Sequence, residues 1–192
     1  EDRALSWLQR IEIAIDCARG LWLLHTYPGR SIVHRNIKAC PYFGSLYSSS
    51  SFQLISKVIN LGHSFVSSEV RGTFSYVDPE YQRNHHVNAK GDVYNFGIVL
   101  MQILSGQKLI NMNHNTRMKE DFLQAYIAVT GNLSEFGDPK LNGEYSTEAF
   151  EILFKLALSC SGCKQDRQGG NKIGESAKHL NEIVELTKHH HI

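Results

Sequence analysis

The sequence lacks the features that mark membrane-spanning, nucleic-acid-binding and disulfide-rich proteins. No apolar run reaches the roughly 20 residues that a transmembrane helix needs. The formal net charge of +1 provides no strong field to attract nucleic acid or acidic lipid. The four cysteines include one C-x-x-C pair, Cys160 and Cys163, with no second pair to complete a zinc site. We therefore expect reduced thiols and a cytoplasmic protein that contacts neither nucleic acid nor membrane.

The chain also lacks an initiator methionine and begins with the charged residues Glu1, Asp2 and Arg3. We expect it to be a soluble piece of a longer protein. Three histidines, His189 to His191, stand at the other end, where a frayed tail is a simpler interpretation than a metal site. Residues 189–192 are accordingly predicted to form a disordered tail.

A long amphipathic helix is predicted near the start of the chain. Ser6 followed by Gln9 fits a capping box, which places the start of the helix at Ser6. Trp22 and His25, near its end, are expected to pack in the core, and Pro28-Gly29 ends the pattern. Apolar residues recur between these points at helical spacing: Leu5, Leu8, Ile11, Ala14, Ile15, Ala18, Leu21 and Leu24.

A second helix, between Val93 and Leu104, is apolar on nearly every side but too short to cross a membrane. This pattern predicts a buried central helix. Asp92 stands at its N-terminal edge, where a carboxylate can cap free backbone N–H groups. Ser105-Gly106 ends the helix.

Short strands and further helices complete the local predictions. Ser31 to Val33 is a short β-branched run, and residues 63–76 lack periodicity and are predicted to form an extended loop. Phe52–Leu54 and Lys57–Ile59 are expected to pair as a hairpin that Gly62 closes. Helical patterns return later in the chain at Phe122–Val129, Thr147–Leu158 and Ile173–Leu186, with turns at Asp138-Pro139 and Asn142-Gly143.

Four segments follow one another along the chain: His34-Arg35-Asn36-Ile37-Lys38, Asn60-Leu61-Gly62, the stretch from Gly72 to Tyr81, and the stretch from Gly91 to Gly97. In this order they resemble the catalytic loop, the D-F-G segment, the A-P-E segment and the central helix of protein kinases. The third segment and the stretch from Leu5 to His25 are similar to plant receptor-like serine/threonine kinases. The resemblance covers about Leu5 to Leu186.

The sequence departs from the family where the resemblance places its chemistry. The catalytic-loop aspartate, which accepts or orients the proton of the substrate hydroxyl, is replaced by Asn36, and a neutral carboxamide cannot act as a base. The D-F-G aspartate that holds Mg²⁺ is replaced by Asn60, and the second metal ligand falls at Pro41. The stretch between Asn36 and Asn60 is about six residues longer than is usual in the family. We therefore expect no intact catalytic residue, no metal site and no bound ATP.

Residues that shape the fold around these positions are retained. By resemblance, Asp92 would brace the backbone of the catalytic loop, Arg35 would face the activation loop, and Glu80 would form a buried ion pair with Arg167. Lys38 is typical of serine/threonine rather than tyrosine kinases. The structural positions that the resemblance implies are His34, Arg35, Gly62, Glu80, Asp92 and Arg167.

The fold that the resemblance implies is the large C-terminal lobe of a kinase over residues 1–188, mainly α-helical, with a small β-hairpin beside a vestigial active site. The N-terminal lobe, with its Gly-rich loop and strand lysine, is expected to be absent. The leading hypothesis is an inactive pseudokinase that binds a protein such as another kinase or a receptor. A longer chain that has its N-terminal lobe, at the cytoplasmic face of the plasma membrane, could instead bind ATP or transfer phosphate weakly. The third alternative is a truncated product without function.

Overall fold

The structure, a computed structural model, describes residues 5–37, 57–60, 62–71, 77–106 and 136–161. Within these ranges the chain is mainly helical and has small antiparallel sheets, which confirms the predicted architecture. The helices are α1 (Trp7–His25), α2 (Pro79–Asn84), α3 (Ala89–Ser105) and α4 (Thr147–Ser161), with a 3-10 helix at Pro139–Leu141. The strands are β1 (Arg30–Val33), β2 (Lys57–Asn60), β3 (Val66–Ser67) and β4 (His86–Val87).

Helix α1 begins with the predicted capping box. The Ser6 hydroxyl accepts a hydrogen bond from the Gln9 backbone N–H, and the Gln9 side chain accepts one from the Ser6 N–H. The expectation that Trp22 packs in the core is wrong, because its side chain is 49% exposed. Trp22 follows the buried Leu21 by one residue and therefore lies about 100° around the helix from it. The buried face comprises Trp7, Arg10, Ile11, Ala14, Ile15, Ala18, Leu21 and His25.

Helix α3 is the predicted central helix, but its start differs from the prediction. Asn88 is the N-cap, and its side chain accepts from the Lys90 N–H at 2.9 Å. Asp92 lies in the first turn and does not cap the helix, because its carboxylate accepts from backbone groups outside the helix. Gly106 ends α3 in the left-handed conformation, with φ of 65°.

The main core lies between α3 and the helices on either side of it, α1 and α4. Gly97 permits the closest approach, because a Cβ atom there would lie 2.7 Å from the Ser161 backbone N and 2.9 Å from the Ala157 carbonyl oxygen. No side chain fits at those distances. Helix α4 confirms the helix predicted from Thr147 and continues it to Ser161.

The C-terminal end of α3 is held by a buried ion pair that the sequence did not reveal. The Arg10 guanidinium donates from Nη1 to the Ile103 carbonyl at 2.8 Å and from Nη2 to Asp138 Oδ2 at 2.5 Å. The Asp138 backbone N–H donates to the Leu104 carbonyl at 2.9 Å. These bonds join α1, the end of α3 and the turn before the 3-10 helix.

The strand predicted at Lys57–Ile59 forms β2, and its partner among the described residues is β1. Antiparallel pairing sets Ile32 opposite Val58 and Arg30 opposite Asn60. Residues 66–67, predicted as loop, pair with β4. Both pairings join segments distant in sequence, which local alternation cannot detect. Phe52–Leu54 lies outside the described residues.

Other predictions also fall outside the described ranges. They include the helices Phe122–Val129 and Ile173–Leu186, the C-terminal tail, Cys40 and Cys163. Cys17 and Cys160 are thiols, and burial raises the pKa of Cys17 to about 12. None of the helices in the described ranges combines the length and the apolarity that crossing a membrane requires.

Candidate functional site

The predicted catalytic loop is fastened to α3 through Asp92. This carboxylate is 0% exposed. Its Oδ1 accepts from the Arg35 backbone N–H at 2.7 Å, and its Oδ2 accepts from the His34 backbone N–H at 2.7 Å. The His25 Nε2 atom lies 2.9 Å from Oδ2 and donates to it, because a carboxylate can only accept. Three donors from two other elements therefore hold one carboxylate.

The backbone of the loop is shaped to fit this carboxylate. Arg35 has φ of 71°, in the left-handed region that costs a residue with a side chain about 1–2 kcal/mol. This conformation turns two successive N–H groups, those of His34 and Arg35, toward a single anion. The hydrogen bonds to Asp92 offset the strain, so the shape of the loop depends on α3 being in place.

Two histidines flank Asp92 and differ in their surroundings. The His25 side chain is buried, and its Nδ1 has no hydrogen-bond partner within the described ranges. Burial lowers the pKa of His34, and the neighbouring His25 lowers it further. The Asp92 carboxylate acts in the opposite direction, but the net pKa is below the usual value for histidine. His34 Nδ1 accepts from the Asn36 backbone N–H at 3.3 Å, which assigns the proton of the neutral ring to Nε2.

Asn36 and Asn60 belong to different segments, and Asn60 pairs with Arg30 at the start of β1, whereas Asn36 lies three residues beyond the end of that strand. Asn36 follows the braced loop and is half-buried, whereas Asn60 ends β2 and is exposed. Both side chains offer neutral carboxamide oxygens, and Mg²⁺ favours charged carboxylates. The donors at these positions therefore fit magnesium poorly. Pro41 and Lys38 lie outside the described residues.

The Arg35 side chain points to the segment between Asn60 and Glu80, which we call the activation segment. Its Nη2 donates to the Glu69 carbonyl at 3.0 Å and to the Tyr81 hydroxyl, and its guanidinium carbon lies 5.6 Å from the Tyr81 ring centroid. The Tyr81 hydroxyl donates to the same Glu69 carbonyl at 2.5 Å. Arg35 thus contacts both the middle of the segment and the helix that follows it.

Gly62 and Glu80 occupy the two ends of the activation segment. Gly62 has φ of 86°, a conformation that favours glycine. Glu80 lies in the first turn of α2, where its backbone N–H donates to Asp78 Oδ1 at 3.0 Å. Arg167 is outside the described residues, so the ion pair expected between Glu80 and Arg167 stays a prediction.

Comparison with known proteins identifies the family of the chain. Residues 1–129 match the family model of protein tyrosine and serine/threonine kinases. The chain belongs to this kinase family. The resemblance that the sequence motifs indicated is therefore confirmed at the level of the family.

Plant receptor-like kinases are similar to this kinase chain. The nodulation receptor kinase of Pisum sativum is 35% identical over 164 residues, which cover 82% of this chain and 18% of that protein. The receptor-like protein kinase FERONIA of Arabidopsis thaliana is 35% identical over 167 residues, which cover 83% of this chain and 18% of that protein. The receptor-like protein kinase ANXUR1 of Arabidopsis thaliana is 33% identical over 196 residues, which cover 96% of this chain and 23% of that protein. The chain thus spans about a fifth of the length of these relatives.

The structure brings together part of the predicted site. His34, Arg35 and Asp92 meet at one point, while Lys38, Pro41 and Arg167 are not described. Sequence reasoning missed the contacts of His25 and Tyr81. The apolar helix face predicts His25 as a packing residue, and its ring is buried there but also donates a hydrogen bond to Asp92.

Proposed function

We propose that the chain is part of a receptor-like serine/threonine kinase domain that has lost phosphoryl transfer and acts in the cytoplasm as a protein-binding module. The observation that carries this proposal is Asn36. It follows a loop that is still built and braced, yet it offers a carboxamide where the family has its proton-accepting carboxylate.

Two ionisable groups of the described residues around this loop, Asp92 and His34, offer no substitute for that carboxylate. Asp92 is fully buried and accepts three hydrogen bonds, so it cannot reach a substrate hydroxyl. His34 uses its Nδ1 lone pair for the Asn36 backbone, and its remaining ring nitrogen carries the proton. Neither group is available as a general base.

The position that would hold magnesium supports the same proposal. Asn60 is exposed and uncharged, and a neutral amide oxygen compensates little of the charge on a metal–nucleotide complex. We therefore propose that ATP and Mg²⁺ are not functional ligands of this chain. What the braced loop and the helical core still supply is a rigid surface, which suits a protein partner such as another kinase or a receptor.

A radiolabel transfer assay on the purified chain tests the loss of catalysis. With Mg²⁺ and ATP we expect no incorporation into the chain or into a generic substrate. A receptor-like kinase domain with both aspartates intact serves as the positive control. Label above the no-protein blank, in a preparation free of contaminating kinases, contradicts the proposal.

Restoring the family's residues at positions 36, 60 and 41 tests whether those side chains alone account for the expected inactivity. We expect the variant Asn36→Asp, Asn60→Asp, Pro41→Asn to remain inactive alone, because phosphoryl transfer also needs groups that the family places in its N-terminal lobe. Fusion of this variant to the N-terminal lobe of a related kinase is the matched test. Activity of the unaltered chain in such a fusion would instead favour the alternative, a weakly active kinase within a longer protein.

A further inference from the structure

Residues 69–71 of the activation segment, which follow the strand β3, contact the rest of the described chain at the hydroxyl of one buried tyrosine. Tyr81 lies in α2 and is 8% exposed. Its hydroxyl donates to the Glu69 carbonyl at 2.5 Å, accepts from Arg35 Nη2, and is 3.3 Å from the Arg71 backbone N. One oxygen atom therefore joins the predicted catalytic loop, α2 and the stretch 69–71.

Among the described residues, the stretch 69–71 makes its inward contacts through backbone groups. Glu69 and Arg71 form an ion pair at 3.7 Å, but both side chains are largely exposed, so this pair contributes little. The inward contacts are the Glu69 carbonyl and the Arg71 N–H, and both meet the Tyr81 hydroxyl. Arg35 Nη2 donates to the same carbonyl at 3.0 Å.

Activation segments of kinases are commonly ordered by a phosphate that pairs with an arginine. In this chain an uncharged hydroxyl and a carbonyl already accept from Arg35 Nη2. We infer that the Tyr81 hydroxyl acts as a latch: its hydrogen bonds hold residues 69–71 against the predicted catalytic loop without any phosphorylation. The latch fixes the conformation of this surface at all times, whether or not the chain transfers phosphate.

Amide hydrogen exchange on the full chain tests the latch. The protein is made in bacteria, and its intact mass establishes that it carries no phosphate. In Tyr81→Phe the ring stays over Arg35 and only the hydroxyl is lost, so we expect the Arg71 amide to exchange about tenfold faster. Tyr27→Phe removes a hydroxyl from a 48% exposed ring and should leave that amide unchanged. Equal exchange in the two variants overturns the inference.

Nitration of the wild-type chain by tetranitromethane is an independent measurement that needs no variant. The buried and bonded Tyr81 ring should react about tenfold more slowly than Tyr27 while the segment is latched. Nitration of Tyr81 as fast as Tyr27 in the phosphate-free protein shows that the segment opens freely, and the latch is then wrong.

Discussion

The two ends of α3 are held by buried charges of opposite sign. At the N-terminal end the helix itself supplies the charge, since Asp92 accepts from the His34 and Arg35 backbone of the predicted catalytic loop. At the C-terminal end another helix supplies it, since Arg10 donates to the Ile103 carbonyl and pairs with Asp138. Each charge has the sign that the helix dipole favours at its end.

The two ends differ in what they hold. Arg10 and Asp138 join helices and a turn of the core, where no chemistry is expected. Asp92 holds a loop, and the next residues of that loop are where the family performs its reaction. Asp92, which shapes this loop, is a carboxylate, whereas Asn36 and Asn60 are neutral amides. Under the proposed function, the sequence has kept a carboxylate needed for folding and not those needed for transfer.

Removing the carboxylate at the N-terminal end should have the largest effect. In Asp92→Ala three buried donors lose their acceptor, and the strained turn at Arg35 loses its support. We expect the free energy of unfolding to fall by about 4 kcal/mol, measured by urea denaturation with circular dichroism. Asp16→Ala is the matched control, because the side chain of Asp16 is 80% exposed, and it should change stability by no more than about 0.5 kcal/mol. Similar losses in the two variants contradict the role given to Asp92.

Breaking the ion pair at the C-terminal end of α3 should lower the free energy of unfolding somewhat less than Asp92→Ala does. Arg10→Met keeps the aliphatic stem in the core but leaves the Asp138 carboxylate buried without its cation. We expect the free energy of unfolding to fall by about 3 kcal/mol. Arg19→Met, at an exposed position of the same helix, is the control.

A double variant separates this pair from general packing. Arg10→Met combined with Asp138→Asn removes both charges, while the asparagine oxygen can still accept from the Lys140 N–H. The double variant should lose less unfolding free energy than the two single variants lose together, by about 1 kcal/mol or more. Strict additivity would show that the two side chains do not act as a pair.

The smallest expected effect is on how stability depends on pH, through His34 beside the N-terminal end of α3. Burial lowers the pKa of His34 in the folded chain, so the unfolded chain takes up the proton first as the pH falls below about 6.5. Stability from a neutral, buried His34 is therefore present above that pH and is lost below it. Between about pH 7.5 and about pH 5.5 we expect the wild-type chain to lose more unfolding free energy than His34→Gln does. The control is His63→Gln, an exposed position, which should follow the wild type.

Local patterns predicted those parts of the fold that local physics controls. The capping box at Ser6 and Gln9 and the apolar run that became α3 were found because caps and helical faces repeat within a few residues. The partner of β2 was missed because strand pairing joins residues far apart in the chain, here Arg30 and Asn60. The motifs indicated the family, and two of them contain Asn36 and Asn60.

The sequence by itself determined the residue types at the site, and with them the absence of a carboxylate at position 36, because no folding can add a charge to an amide side chain. Only the tertiary structure decided what the retained polar residues do. The local pattern predicted that Asp92 caps its own helix and the family resemblance that it braces the catalytic loop, and in the structure the carboxylate accepts from that loop, more than fifty residues away in sequence. Such contacts depend on packed elements that bring distant groups within hydrogen-bonding distance, where burial makes each unpaired group costly.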